Sequence, residues 1–314
     1  MTTAEEKLAF MSMSLDDKIK RTKQLITEWY YQFDGKVYVS FSGGKDSTVL
    51  LHIARSLKCG KNIVGVFSDT GLEYPEIRDF VSKQENIIQI RPKLTFKQVI
   101  EKYGYPVISK EQSLYLYQYR NTKSEILKKL RTEGGKKGKF KISDKWMPLA
   151  DADFNIGNQC CSVMKKRPFK AFEKETGLHP IVGTMAGESK LRWQKYMLGE
   201  CNQYSAKHPT SQPMMFWNEQ DVLEYIKREK LEIASVYGDI IEKDGKLTTT
   251  GVHRTGCMFC MYGVHLEPVG DTRFDKMKIT HPKQYDYIMN KLNGRHVLNE
   301  YLKHDEKHQQ PFMF

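Results

Sequence analysis

The strongest constraint this chain places on its own fold is the passage from a short β-rich run, KVYVSF at 36–41, through Ser42-Gly43-Gly44-Lys45-Asp46-Ser47, into the helical periodicity of TVLLHIARSL. A strand that ends in a polar glycine loop and turns into a helix aims several backbone N–H groups, and the positive end of that helix, at one point. That point suits a phosphate. Glycines let the backbone approach an anion, the hydroxyls of Ser42 and Ser47 can donate to it, and Lys45 adds a positive charge. The competing reading is a polar turn ahead of a helix. The loop is not a Walker A motif, which needs four residues between its first glycine and the Gly-Lys pair.

Strands and helices go on alternating. NIVGVFSD reads as a buried strand, EYPEIRDFVSKQ as a helix and NIIQIRP as a strand, and HPIVGTMA brings the pattern back further on. This predicts an α/β fold: a doubly wound, mostly parallel sheet with helices on both faces. Ahead of it, SLDDKIKRTKQLITEWYYQF at 14–33 reads as a leading helix capped by its serine. Between about 111 and 158 the pattern changes. A helix carrying Tyr115, Tyr117 and Tyr119 leads into RTEGGKKGKFKISDKW, which is basic and lacks apolar periodicity, and reads as an exposed loop or insertion. WNEQDVLEYIKREK reads as an amphipathic helix capped by Asn218; a cysteine-bearing loop follows Thr249, then helices around HPKQYDYIMNKL and GRHVLNEYL. Three segments are expected: an N-terminal helical segment 1–35, a phosphate-loop nucleotide-binding domain 36–235 with a basic insertion near 130–158, and a small C-terminal cysteine-bearing helical lobe 236–314.

Composition bears on partners. No apolar run approaches the ~20 residues of a membrane span, so no membrane partner is expected. The start, MTTAEEKLAF, lacks the charge and apolar core of a secretory signal, which points to the cytoplasm. Fifty Lys and Arg against 38 Asp and Glu give a net charge of +12, which favours nucleic acid or a phosphate-rich substrate. The tyrosine-flanked basic segment 115–145 reads either as a nucleic-acid contact or as a solvated loop.

Four of the six cysteines fall in two pairs, Cys160-Cys161 and Cys257 with Cys260, with 95 residues between the pairs (162–256). Cytoplasmic thiols are rarely structural disulfides. Four thiolates converging on one metal suit a [4Fe-4S] cluster or tetrahedral zinc, and spacing alone leaves both open beside the alternative of buried, reduced thiols. Lys165, Lys166, Arg167, His253 and Arg254 are placed in sequence to balance a negative cluster or nucleotide phosphates. Cys59 and Cys201 read as ordinary.

SGGKDS after a strand resembles the PP-loop of the adenine nucleotide alpha-hydrolase superfamily, and other segments narrow the likeness to the phosphoadenosine phosphosulfate (PAPS) reductase family. FSDTGLEYPEI at 67–77 is similar to that family's second-strand motif, which implies that Asp69 and Thr70 lie beside the adenosine. VGTMAGESKLR at 182–192 is similar to G-x-R-x-x-E-S-x-x-R, placing Gly183, Glu188, Ser189 and Arg192 on its fixed positions; Met185 stands where the family usually has arginine, so one cationic contact to the anionic end is missing. FWNEQDVLEYIKREKLEIASVYG resembles the stretch ahead of the family's Gly-Cys-x-x-Cys, here GCMFC. The likeness runs from about 36 to 263 and implies a Rossmann-like nucleotide-binding fold.

Bacterial adenylylsulfate reductases and DNA phosphorothioation sulfur-transfer proteins carry Cys-Cys followed distantly by Cys-x-x-Cys around a [4Fe-4S] cluster. The resemblance therefore implies such a cluster on Cys160, Cys161, Cys257 and Cys260. The reductases use a cysteine on a C-terminal tail, and no cysteine follows Cys260 here. The expectation is thus an ATP pyrophosphatase in sulfur transfer, with Ser42 to Ser47 on the phosphates, Lys45 and Mg²⁺ neutralising pyrophosphate, and Asp46 positioning the metal or a water. A nucleic acid is the expected acceptor and a cysteine desulfurase the donor. The alternatives are a sulfonucleotide reductase taking adenylylsulfate or PAPS with a thioredoxin-like donor, and a non-catalytic nucleotide sensor.

Overall fold

A computed structural model describes residues 2–308; the last residues of the C-terminal stretch, 309–314, lie outside the described residues. Along the chain the strands are β1 (Val37–Ser40), β2 (Val64–Ser68), β3 (Ile87–Ile90), β4 (Val107–Ile108), β5 (His179–Val182), β6 (Asn202–Gln203), β7 (Thr210–Ser211), β8 (Ile240–Lys243), β9 (Lys246–Thr249) and β10 (Met261–Tyr262). Two compact units form, and their sequences interleave. One holds residues up to Asp69, Glu73–Arg91 and Pro168–Thr255; the other holds Thr70–Leu72, Pro92–Arg167 and the residues from Gly256 onward.

The first unit is built on a six-stranded sheet of order β3-β2-β1-β5-β7-β6, parallel except for the β6–β7 pair. β1 lies between β2 and β5, with Ser40 opposite Val66 and Val39 opposite Ile181. Alternation along the strands explains the layers. Val37, Val39, Phe41 and Phe67 turn to one core, where Ile26 and Trp29 of the helix Leu15–Gln32, Val49, Leu50 and Ile53 of the helix Lys45–Arg55, and Trp217 are fully buried. Tyr38 and Val66 turn the other way, to Phe172 of the helix Arg167–Thr176. Helices thus cover both faces, as the sequence pattern predicts for a doubly wound mostly parallel sheet.

Local signals set the helix starts. Ser14 Oγ accepts from the Asp17 N–H at 3.2 Å. Asn218 and Asp221 form a reciprocal capping box at the start of the helix Glu219–Glu229. The buried Lys18 ammonium donates to Asp221 Oδ2 at 2.7 Å and so ties that helix to the leading one. Among the elements unread in the sequence are the helix Ala4–Met11, with its Thr3–Glu6 capping box, the helices Phe96–Tyr103 and Lys190–Leu198, and the β8–β9 hairpin, whose Asp244-Gly245 turn has both residues at positive φ.

The second unit groups residues 92–167 with those after 255. β4 pairs in parallel with β10, Val107 opposite Met261, and Phe96 packs on Phe259 with ring centroids 5.8 Å apart. These contacts, long-range in sequence, hold the stretches of the second unit together. The tyrosine-bearing helix is Lys110–Asn121, and the basic segment after it carries the helix Glu125–Thr132 before an exposed turn. Among the described residues no helix is long and apolar enough to cross a membrane.

Candidate functional site

In the first unit the chain leaves β1 toward β2 and β3, then returns to β5 on β1's other side. The strand order reverses between β1 and β5, and in open α/β sheets ligands bind in the crevice that such a reversal opens at the carboxyl ends of the strands. The loop Ser42–Ser47 follows β1 and Gly183–Glu188 follows β5, so both segments singled out in the sequence flank that point. An added Cβ on Gly183 would lie 3.3 Å from the Asp46 carbonyl oxygen, so the two loops run close together.

Gly43 sits at φ +71, and a Cβ there would come within 2.7 Å of Val81 Cγ2 and 2.9 Å of Ile77 Cγ2. Left-handed backbone costs an L-residue about 1–2 kcal/mol and overpacking about 1–3. Gly43→Ala should therefore destabilise the protein by about 2–5 kcal/mol in denaturant titration; a shift below about 0.5 kcal/mol would show that the loop relaxes freely.

The loop's amides are held by hydroxyls. The Ser42 N–H donates to Ser47 Oγ at 3.1 Å, the Gly44 N–H to Ser42 Oγ at 3.3 Å and the Lys45 N–H to Tyr237 Oη at 3.1 Å. Tyr237 Oη in turn lies 2.7 Å from Thr255 Oγ1. Lys45 opens the helix and is only 3% exposed; its ammonium donates to the His253 carbonyl at 2.9 Å and lies 3.1 Å from Glu219 Oε1. Asp46 Oδ1 is 3.7 Å from that ammonium, is buried and has no hydrogen-bond donor, and burial raises the Asp46 carboxyl above the ordinary aspartate value.

Beyond β5, Glu188 accepts from the Met185 N–H at 3.0 Å and pairs with both Arg192 and Arg254. Ser189 Oγ accepts from the Arg192 N–H at 3.3 Å and caps the helix Lys190–Leu198. Burial, then the neighbouring Arg254, lowers the Arg192 guanidinium from its ordinary value. Met185, 5% exposed, is a core residue, whereas Arg254 brings a second guanidinium to Glu188. Glu219 and Tyr237 lie in the FWNEQDVLEYIKREKLEIASVYG stretch but carry no phosphate-site signal of their own, Thr255 lies outside the quoted motifs, and only the tertiary fold brings the three to the loop.

Asp69 follows β2, 7% exposed, with Arg78 Nε and Arg91 Nη2 each 3.2 Å from its carboxylate. Its N–H donates to the Ile90 carbonyl at 2.9 Å. Thr70 belongs to the second unit, where its Oγ1 accepts from the Leu72 N–H at 3.2 Å.

Cys160, Cys161, Cys257 and Cys260 all belong to the second unit, while Cys59 and Cys201 belong to the first. Among the described residues no group of three or more His, Cys, Asp or Glu side chains is drawn tightly enough to hold a metal ion. The four thiols nevertheless share one neighbourhood. Burial, then Cys257, Cys161 and Cys260, pushes the Cys160 thiol far up, with Lys165 acting against them. Burial also raises Cys260, to which Cys161 contributes. The first pair leads into a π-helical turn, Ser162–Lys166, a distortion found frequently at functional sites. Arg273 Nη1 donates to the Cys260 carbonyl at 3.1 Å.

A crystal structure of PAPS reductase from Candida auris, a phosphate complex, is similar to this chain at 17% identity over 71% of this chain and 89% of that one, with a TM-score of 0.39. FMN adenylyltransferase from Candida glabrata in complex with FAD and inorganic pyrophosphate is similar at 12% identity over 74% and 67%, with a TM-score of 0.41. Likeness at this level leaves the fold to be read from the strand pairing itself. No curated protein sequence matches the chain. The sequence profile of the phosphoadenosine phosphosulfate reductase domain matches residues 36–135 and 115–261, which spans the loop after β1, the Gly183–Arg192 segment and the last cysteine pair. With that match covering well over half of its 314 residues, the chain belongs to the phosphoadenosine phosphosulfate reductase domain family.

Proposed function

We propose that this adenine-nucleotide-binding family member is an ATP pyrophosphatase that adenylates an acceptor in sulfur transfer. The observation that carries the reading is the Asp46 carboxylate, which sits beside Lys45 at the strand-order reversal with one buried oxygen that no donor satisfies. Hard cations such as Mg²⁺ take carboxylate oxygens, and they accompany nucleotide phosphates. Asp46 would hold the ion, and Mg²⁺ when bound supplies positive charge to the pyrophosphate end of ATP.

The chain's own residues account for the rest. Ser42, Ser47 and Tyr237 already place hydroxyl oxygens on the loop amides, and phosphate oxygens accept from those same N–H groups once they displace the hydroxyls. Lys45, Arg192 and Arg254 supply the cations. An acceptor oxygen attacks the α-phosphorus, the bond to the α–β bridging oxygen breaks, and pyrophosphate leaves with the electron pair. Lys45 neutralises the charge that develops on it, and Asp69 lines the adenosine side.

The proposed cofactor is a [4Fe-4S] cluster on Cys160, Cys161, Cys257 and Cys260: four thiolates are the donor set such a cluster takes, although among the described residues the thiols are not drawn tightly enough to hold a metal as they stand. Such a cluster, when bound, supplies an electron-transfer centre or a rigid anchor for the segments that hold it; zinc is the other ion that accepts this set. A cysteine desulfurase is the proposed sulfur donor.

The second reading is a sulfonucleotide reductase, favoured by the domain match itself. Incubating anaerobically purified protein with ATP, adenylylsulfate and PAPS in parallel separates the two. Pyrophosphate from ATP alone is the expected result, with a brown protein holding about four irons per chain. Sulfite released in the presence of thioredoxin would establish the reductase instead. Tight nucleotide binding with neither product would establish a sensor, and a colourless protein with one zinc would remove the cluster.

A further inference from the structure

Half of the chain's net charge of +12 lies in one short stretch. Residues 123–145 hold nine cations, Lys123, Lys128, Lys129, Arg131, Lys136, Lys137, Lys139, Lys141 and Lys145, against Glu125, Glu133 and Asp144, a surplus of six. Four of the flanking lysines are neutralised within the unit: Lys128 by Glu125, Lys129 by Glu133, Lys141 by Asp144 and Lys145 by Asp305. Among the described residues the three at the tip, Lys136, Lys137 and Lys139, have no carboxylate partner, and all three are exposed.

A solvated charge run needs no scaffold, but this one has a scaffold. Arg131, 7% exposed, lies 4.1 Å over the Tyr115 ring and donates to Gln118 Oε1 at 2.9 Å and to the Phe140 carbonyl. Gln112 brackets the far side, donating to the Lys141 carbonyl at 3.2 Å and accepting from the Ser143 N–H at 2.9 Å. Ile142 is buried beneath, and its N–H donates to the Arg131 carbonyl at 2.8 Å. Across the turn the Gly135 N–H donates to the Lys139 carbonyl at 2.6 Å. So held, Lys137 and Phe140 adopt left-handed backbone at φ 60° and 70°, a conformation that persists in bulky residues only where the surroundings enforce it. The product is an aromatic ring, Phe140, kept 54% exposed among unpaired ammonium groups.

We propose that the turn at 133–142 is a docking surface for single-stranded nucleic acid. Lysines that track a phosphate backbone, beside an exposed ring on which an unpaired base stacks, are the two elements of sequence-tolerant single-strand binding. An acidic protein would use the charges and leave the ring idle, and a duplex offers no unstacked base to it. The inference names a partner on the acceptor side of the proposed reaction, but the surface does not depend on ATP chemistry. Binding is read without nucleotide, so failure here and failure of the pyrophosphatase reading are separate results.

The test is fluorescence anisotropy of labelled oligothymidine and oligouridine with the full chain over a salt series. The parent should bind both, with affinity falling as salt rises. K136Q/K137Q/K139Q should weaken binding at least about tenfold and flatten the slope of log affinity against log salt by about two, at ~0.7 per lost phosphate contact. Phe140→Ala should weaken it by roughly tenfold with the slope unchanged, the signature of a lost stack. Both variants should melt with the parent, since the substituted side chains are exposed. Absence of oligonucleotide binding, or affinity unmoved by the triple substitution, overturns the proposal. Poly-glutamate or phosphatidylserine vesicles that bind as tightly as the oligonucleotides through the same lysines would also overturn it, in favour of an acidic protein or a membrane surface.

Discussion

Replacing Lys45 with alanine is expected to lower nucleotide turnover by two to three orders of magnitude while leaving the fold intact. The ammonium is the cation that opens the helix behind the phosphate loop, and removing one preorganised partner of a developing anionic charge costs about 3–4 kcal/mol of transition-state stabilisation. The fold should tolerate the loss. Glu219, the closest carboxylate to Lys45, is half exposed and can return to water, and the His253 carbonyl is the other group left without a donor. Pyrophosphate release and thermal melting on one preparation check both halves. Turnover within about threefold of the parent would remove the loop cation from the chemistry, and a collapsed melt would mean that Lys45 holds the fold.

Asp46→Asn should move stability and activity in opposite directions. The Asp46 carboxyl is held above its ordinary value, burial being the largest cause, so the folded protein binds its proton more tightly than the unfolded chain does. Stability from this group is therefore fully present below the unfolded value of about 4 and is lost as pH rises through the raised folded value, so that at neutral pH the ionised group is a liability. Asparagine removes it. Melting at neutral pH should rise, and the gain should vanish as pH falls to about 4. Turnover should drop at least about a hundredfold, because a neutral amide does not replace a carboxylate toward a divalent cation. A variant that melts lower at neutral pH, or that keeps its turnover, would contradict the assignment. The pattern is the familiar exchange of stability for a functional group kept in an unfavourable setting.

The parts of the fold that could be read in advance are those whose signal is local. Ile19, Leu25, Ile26 and Trp29 recur at helical spacing and are buried along the helix Leu15–Gln32, and the Val-Tyr-Val run at 37–39 is a central strand. The Asp244-Gly245 turn between β8 and β9 was legible in principle, since Asp-Gly is a strong hairpin signal; the polar, weakly alternating flanks IIEK and KLTT disguised it. The two-residue strands β6 and β7 are too short to carry a period. The site divides the same way. Ser42 to Ser47 and Glu188 announce themselves by motif, whereas Tyr237 and Thr255 reach the loop only because the chain returns to it about 190 residues later. Arg254 shows the limit of reading charge from sequence: its pairing with Glu188, 66 residues away, carries no local signal.

The strand order also governs how the molecule can be made. β1 needs neighbours on both sides, and β2 arrives within a short stretch of chain, but β5 lies about 140 residues further along. At synthesis rates of ~5–20 residues per second, the nascent chain carries β1 with one bare edge for roughly 7–28 s. A bare edge on Val37 and Val39 is a ready template for pairing with another chain, so a newly emerging copy depends on chaperone cover or on crowded neighbours being few until His179–Val182 leaves the ribosome.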